Sequence, residues 1–303
     1  MRIRAIAAAL LALSVITGCG GQAAASGFSA GRLNVVTAFY PLRFLADRIG
    51  GDSVRVTDLT KPGAEPHDVE LNPRQVGHIV DAGVVVYLKG FQPAVDQAVA
   101  QEAKDRALDV AATVQLLPLS TSTDGEKETA HGMDPHVWLD PVRYATIADA
   151  VGARLGQADP AHAADYTARA AALHAELAGL NREFAAGLST CQRREIVTSH
   201  SAFNYLATRY GLTQVGITGI SPEAEPAPRR LAAVAAEARR TGTTTIFFET
   251  LVSPKVAETL AREVGARTAV LDPLEGLTEP GGDYFSVMRG NLAALTTALG
   301  CAP

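Results

Sequence analysis

The sequence predicts an α/β fold of two lobes with parallel sheets, on three observations. Short apolar runs alternate with stretches of helical period from residue 33 onward, and strands that alternate with helices pair in parallel beneath helical layers. An alanine-rich helical stretch interrupts this alternation near the middle, after which the same grammar restarts. The chain has 303 residues, 47% of them apolar, enough to bury about two cores.

The N-terminus reads as an export segment. Arg2 and Arg4 precede an apolar run over 5–16, which is too short to span a bilayer as a mature helix and matches a signal peptide over 1–18. Thr17 and Gly18 before Cys19 look like a bacterial lipobox, with Cys19 as the lipidated first residue of the mature protein. The Gly-Ala-Ser-rich stretch over 19–32 would then be a flexible tether. No other stretch is long enough to cross a membrane. The expected location is therefore the extracytoplasmic face of the cell membrane, through a lipid anchor.

The first lobe is expected over 33–158. LNVVT at 33–37 reads as a buried strand, 41–49 as a helix, 54–59 as a strand, 72–81 as a helix and 84–88 as a third strand. A helix over 92–105 and a short extended piece at 107–109 follow. Residues 120–133 (STSTDGEKETAHGM) form a polar loop without apolar period. Asp140-Pro141 supplies an N-cap and a first-turn proline for a helix reaching 157. After Asp159-Pro160, a helix over 159–188 carries Tyr166, Ala170, Leu173, Leu177 and Leu180 at helical spacing. At 1.5 Å per residue it would reach about 40 Å, long enough to run the length of two packed lobes as their connector. The second lobe, 189–303, repeats the pattern: strands at 195–198, 212–217, 244–248 and 268–271 alternate with helices at 202–210, 228–239 and 254–264. A last helix covers 284–299.

A formal net charge of −5 argues against a nucleic-acid partner, which needs a basic surface. With Cys19 assigned to lipid, Cys191 and Cys301 remain. In an exported protein they have one possible pairing, a disulfide; a zinc-thiolate role competes poorly with oxidation outside the cell.

Three histidines stand in separate Pro- or Ser-flanked turns, Glu65-Pro66-His67, Asp134-Pro135-His136 and Thr198-Ser199-His200, and an aspartate stands in a fourth, Leu271-Asp272-Pro273. His67, His200 and Asp272 each follow a strand, at the carboxyl edge where open α/β sheets bind ligands. His136 lies in a loop just ahead of a helix. Two candidates come from each lobe, which puts one first-row metal site in the cleft between them. His78, His162 and His174 lie on helices and read as structural or solvent-facing, and His131 lies in the polar loop.

The segments TAFYPLRFLADRIGG, PGAEPHDVELNPRQ, DPHVWLDP, TSHSAFNYLATRYGL and VAETLAREVGARTAVLDPLEG occur in the order seen in the zinc/manganese ABC-transporter solute-binding proteins, and from about residue 34 to the C-terminus the chain resembles that family. The resemblance implies two α/β lobes joined by a long rigid helix, with one metal in the cleft. It implies His67, His136, His200 and Asp272 as ligands and an ABC-transporter permease as partner, for a binding protein that is monomeric and not an enzyme. Zinc-uptake members often carry a long histidine-rich loop ahead of the second ligand, whereas the loop here is short and holds His131 alone. Manganese-selective members tend to have a carboxylate where this chain has His200.

Ligand chemistry points the same way. Three imidazoles and one carboxylate suit Zn²⁺, while Mn²⁺ prefers more oxygen and sits at the weak end of the divalent series. Glu65 and Glu249, near these turns, are expected to orient imidazole N–H groups as acceptors. The competing readings are a manganese-binding protein of the same type and a zinc hydrolase. The hydrolase needs an open fourth position and a general base such as HExxH, and no such motif is present. Adhesion is a second role attributed to some members of the family.

Overall fold

The computed structural model describes residues 27–119, 132–277 and 281–302. Cys19, the export segment and His131 lie outside the described residues.

In the first lobe β2 (Arg32–Thr37) and β4 (Val84–Tyr87) are central. The parallel strands run in the order β3 (Val54–Asp58), β2, β4, β5 (Ala107–Asp109). Val35, Val36, Val84, Val85 and Val86 are buried, as expected of strands covered on both faces. One strand escaped the sequence reading. β1 (Phe28–Ser29) pairs antiparallel with the start of β2, so regular structure begins within the stretch expected to be tether. Two residues carry too little period to be read as a strand.

Helices α1 (Tyr40–Gly50), α2 (Pro73–Asp81), α3 (Pro93–Glu102) and α4 (Pro141–Ala158) surround this sheet. The sequence marks several of their starts chemically. The Asn72 side chain accepts from the Arg74 and Gln75 amides while Gln75 reaches back to the Asn72 amide, a reciprocal capping box. Asp140 caps α4 through the Val142 amide, with Pro141 in the first turn.

α5 (Ala163–Gly187) has 25 residues, about 37 Å of helix. It buries Tyr166, Ala170, Leu173, Leu177, Leu180 and Phe184 along one stripe, against α1, α4 and the C-terminal helix α9 (Tyr284–Leu299). The second sheet is wholly parallel, in the order β7 (Thr213–Gly216), β6 (Glu195–Thr198), β8 (Thr245–Phe248), β9 (Arg267–Val270). Helices α6 (Asn204–Tyr210), α7 (Pro228–Thr241) and α8 (Lys255–Val264) cover it. α6 starts two residues later than its apolar pattern suggests, after a bend at 199–201 in which the Ser201 amide donates to the Gly219 carbonyl at 2.7 Å.

The lobes share an apolar core. A continuous cluster takes Phe39, Phe44, Trp138 and Tyr144 from the first half and Phe203, Leu274, Tyr284 and Phe285 from the second. Tyr144 and Tyr284 stack at 4.4 Å, and the Tyr284 hydroxyl donates to the Trp138 carbonyl at 2.7 Å. Interdigitated aromatics of this size resist sliding. Cys191, just past α5, is bonded to Cys301, just past α9, which ties the end of the connector to the end of the chain. Among the described residues, no helix is long and apolar enough to cross a membrane.

Candidate metal site

The site assembles from loops at the carboxyl edges of both sheets. His67 lies between β3 and α2, His136 ahead of α4, and His200 two residues past β6. The acid-proline dipeptides shape the first two turns. The Glu65 carboxylate accepts the His67 amide at 2.8 Å, and the Asp134 carboxylate accepts the His136 amide at 2.9 Å. In each case an acidic side chain bridges its proline to the amide two residues on, an Asx-type closure that leaves the histidine at the turn's exit.

The three imidazoles converge on one carboxylate, and it belongs to Glu275. The Nε2 atoms of His67, His136 and His200 lie 3.1, 3.0 and 3.3 Å from Glu275 Oε1. The four ligand atoms all fall within 4.8 Å of one another. His136 and Glu275 are fully buried, His200 is 1% exposed and His67 9%. Phe91 packs edge-on to His67 at 4.6 Å, and Trp138 lies 5.3 Å from His136, so apolar walls keep water from the cluster.

The structure does not bring Asp272 into this cluster, contrary to the sequence expectation. Its Oδ1 accepts the Leu274 amide at 2.7 Å and its Oδ2 accepts the Thr250 hydroxyl at 3.1 Å. Asp272 thus closes the same acid-proline turn that Glu65 and Asp134 close. By its contacts Asp272 corresponds to the acids that precede the histidines, not to the histidines themselves. Glu275, three residues on, was visible in the segment LDPLEG but carried no turn signature of its own. Asp134, which flanks His136 in sequence, is also its partner through Nδ1 at 2.8 Å.

The two acids expected to orient the imidazoles both lie beside the cluster. Glu249 meets His200 Nδ1 at 2.7 Å and accepts the Ser199 hydroxyl at 2.6 Å. Glu65 acts on the His67 backbone, its carboxylate remaining 4.0 Å from His67 Nε2. His162 and His174 pair with Asp159 and Asp149, away from the cluster.

The electrostatics are those of a cation site holding protons. Burial lowers the His67 imidazole, with Glu275 opposing. Burial works to lower His136 and His200 too, but contacts with Asp134 and Glu275 outweigh it for His136, and Glu249 and Glu275 carry His200 well above its ordinary range. For Glu275 burial alone would raise the carboxyl; His200 and His67 instead hold it well below the usual carboxylate range. Burial and the neighbouring Glu275 push Glu65 up to about 8. Buried atoms without a hydrogen-bond partner concentrate here: Glu65 Oε2, Asp134 Oδ2, His200 Nε2, Glu249 Oε2 and Glu275 Oε2. Orphaned polar atoms are costly singly, and an excess of buried carboxylate oxygens beside three converging imidazoles fits a dipositive ion.

Comparison with known proteins gives the family. The ZnuA family, described as zinc-uptake complex component A, periplasmic, matches residues 35–298. The zinc-binding lipoprotein AdcA of Streptococcus pneumoniae serotype 4 is 36% identical over 97% of this chain and 60% of its own length. The high-affinity zinc uptake system protein ZnuA of Bacillus subtilis is 34% identical over 88% of both chains. The crystal structure of the Zn(II)-bound ZnuA-like domain of S. pneumoniae AdcA superposes with a TM-score of 0.76 at 36% identity, covering 89% of this chain and 99% of that one. The chain spans 56% to 60% of the length of the AdcA relatives it matches. With a family match across most of its length and relatives above 30% identity, the chain belongs to the ZnuA family of zinc-uptake components.

Proposed function

We propose that this protein captures Zn²⁺ outside the cytoplasmic membrane and delivers it to the permease of an ABC importer, with His67, His136, His200 and Glu275 as the ligands. One observation carries the reading: three buried imidazole Nε2 atoms and one buried carboxylate surround a single point from both lobes. Three nitrogens and one oxygen favour zinc over manganese. The carboxylate takes the fourth position that a hydrolase would leave for water. Zinc is therefore cargo, and no residue here is assigned to catalysis.

The supporting acids fit this role. Asp134 and Glu249 meet the Nδ1 atoms of His136 and His200, which turns Nε2 toward the ion and raises its basicity. A relative named as a zinc-binding lipoprotein supports the same cargo and an anchored location; we take Cys19 as the lipid anchor and a single chain as the working unit.

Metal analysis of the purified mature protein should find one zinc per chain, retained in competition with manganese. His200→Glu should shift preference toward manganese by about tenfold or more, since a hard anionic oxygen replaces nitrogen. Metal-free protein, or a wild type that binds manganese more tightly, would sink the zinc reading. Cys19→Ala should move the protein out of the membrane fraction; continued detergent dependence would refute the anchor.

A further inference from the structure

We infer that Asp272 is a positioning residue that aims Glu275 at the metal by holding Leu274 in a left-handed conformation. The inference rests on the zinc-site reading above. Leu274 has φ 60°, a region that a branched, buried side chain seldom adopts. Leu274 is fully buried in the interlobe core, so its side chain has no freedom to release the backbone.

Polar contacts hold the turn on several sides. Asp272 Oδ1 accepts the Leu274 amide at 2.7 Å, which fixes that residue's plane. The Thr250 hydroxyl holds the other Asp272 oxygen at 3.1 Å. Asn291, on α9 and 3% exposed, receives the Asp272 amide at 2.9 Å and donates to the Asp272 carbonyl at 2.7 Å. From the first lobe, the buried Trp138 indole donates to the Pro273 carbonyl at 2.7 Å. Glu275 is the next residue after Leu274, and its Oε1 lies 3.1, 3.0 and 3.3 Å from the three imidazole Nε2 atoms, a placement that tolerates shifts of about 0.5 Å. Rotation at Leu274 would swing it out of the cluster.

The same device occurs twice more in this chain, where the carboxylates of Glu65 and Asp134 close a proline turn on the His67 and His136 amides. At Asp272 the turn is one residue longer before the ligand, and the intervening Leu274 carries the left-handed conformation.

The test is zinc affinity by chelator competition, together with the visible spectrum of the cobalt-loaded protein, which reports ligand number and geometry. Asp272→Ala should weaken zinc about 10- to 100-fold, the range for losing a group that orients a metal ligand, and should change the cobalt spectrum. Asn291→Ala, which removes two bonds from the same turn, should act in the same direction and serves if Asp272→Ala does not fold. Asp272→Asn keeps an oxygen for the Leu274 amide without the charge, and should bind zinc within about threefold of the wild type with an unchanged cobalt spectrum. A ligand role predicts the opposite: Asp272→Asn would lose zinc as severely as Asp272→Ala. Glu275→Gln separates the two levels of inference. If it binds zinc like the wild type, the ligand assignment itself is wrong; if it is impaired while Asp272→Ala and Asn291→Ala behave as wild type, the ligand assignment stands and the positioning role is overturned.

Discussion

At the scale of single residues, the chemistry of this site depends on which atom of each acid is engaged. Glu65 and Asp134 spend one oxygen on the amide two residues on, and Asp134 also meets the imidazole it precedes. The metal-free site keeps its charges tolerable by protonation. His136 and His200 hold protons to higher pH than a free imidazole, against the effect of burial, because Asp134, Glu249 and Glu275 face them. Zinc requires neutral imidazoles, so it must displace those protons. Calorimetry at pH 7 in buffers of different ionisation enthalpy should therefore show net proton release on zinc binding. Affinity should fall as pH drops from 7 to 6. Binding without proton release would mean that the imidazoles are already neutral and that the buried acids do not charge them.

At the scale of elements, the ends of the strands matter more than their middles. β3 ends at Asp58, whose carboxyl accepts the Thr37 hydroxyl at 3.2 Å and is pushed up by burial to about 7. A carboxyl with a folded value above its unfolded one favours the folded state at low pH, and that contribution is lost as pH rises from about 4 to about 7. Asp58→Asn removes the ionising group while keeping an acceptor. Between pH 4 and 8 the melting temperature of the metal-free variant should rise progressively relative to the wild type. The gain should reach about 2 kcal/mol at pH 8, below the full linkage value because the group keeps some contact with water. A constant difference across that range would show that Asp58 ionises normally in the fold. The elements themselves were largely legible in the sequence, because buried strands such as VVVY at 84–87 and the stripe of α5 follow simple periods. β1 and the start of α6 were not: one is two residues long, and at the other the chain leaves the bend at 199–201 and is not yet helical at Ala202 and Phe203.

For the whole molecule, the bond between Cys191 and Cys301 closes a sequence separation of 110 residues, and with it most of the second lobe. On the chain-entropy account its removal should cost about 4 kcal/mol. Cys191→Ser with Cys301→Ser should melt several degrees lower in the metal-free state, yet still bind one zinc, because neither sulfur is near the cluster. Two titratable thiols in the native, unreduced wild type would contradict the bond. Saturating zinc should offset part of the loss, about 2.7 kcal/mol at a free concentration a hundred times Kd.

The sequence by itself determined the α/β grammar, the connector helix and the turns that present His67, His136 and His200. Those features are local: hydrophobic period, caps and proline turns act over a few residues, and each is written where it acts. Only the tertiary structure decided which acid completes the cluster. Asp272 and Glu275 lie in the same loop after β9, and both are acids at the carboxyl edge of a strand. Their roles diverge through contacts from residues distant in sequence: Thr250 and Asn291 hold Asp272 in its turn, while His67, His136 and His200 surround Glu275. A carboxylate's partner is set by what other segments bring to it, and that convergence exists only once the two lobes have packed on Trp138 and Tyr284.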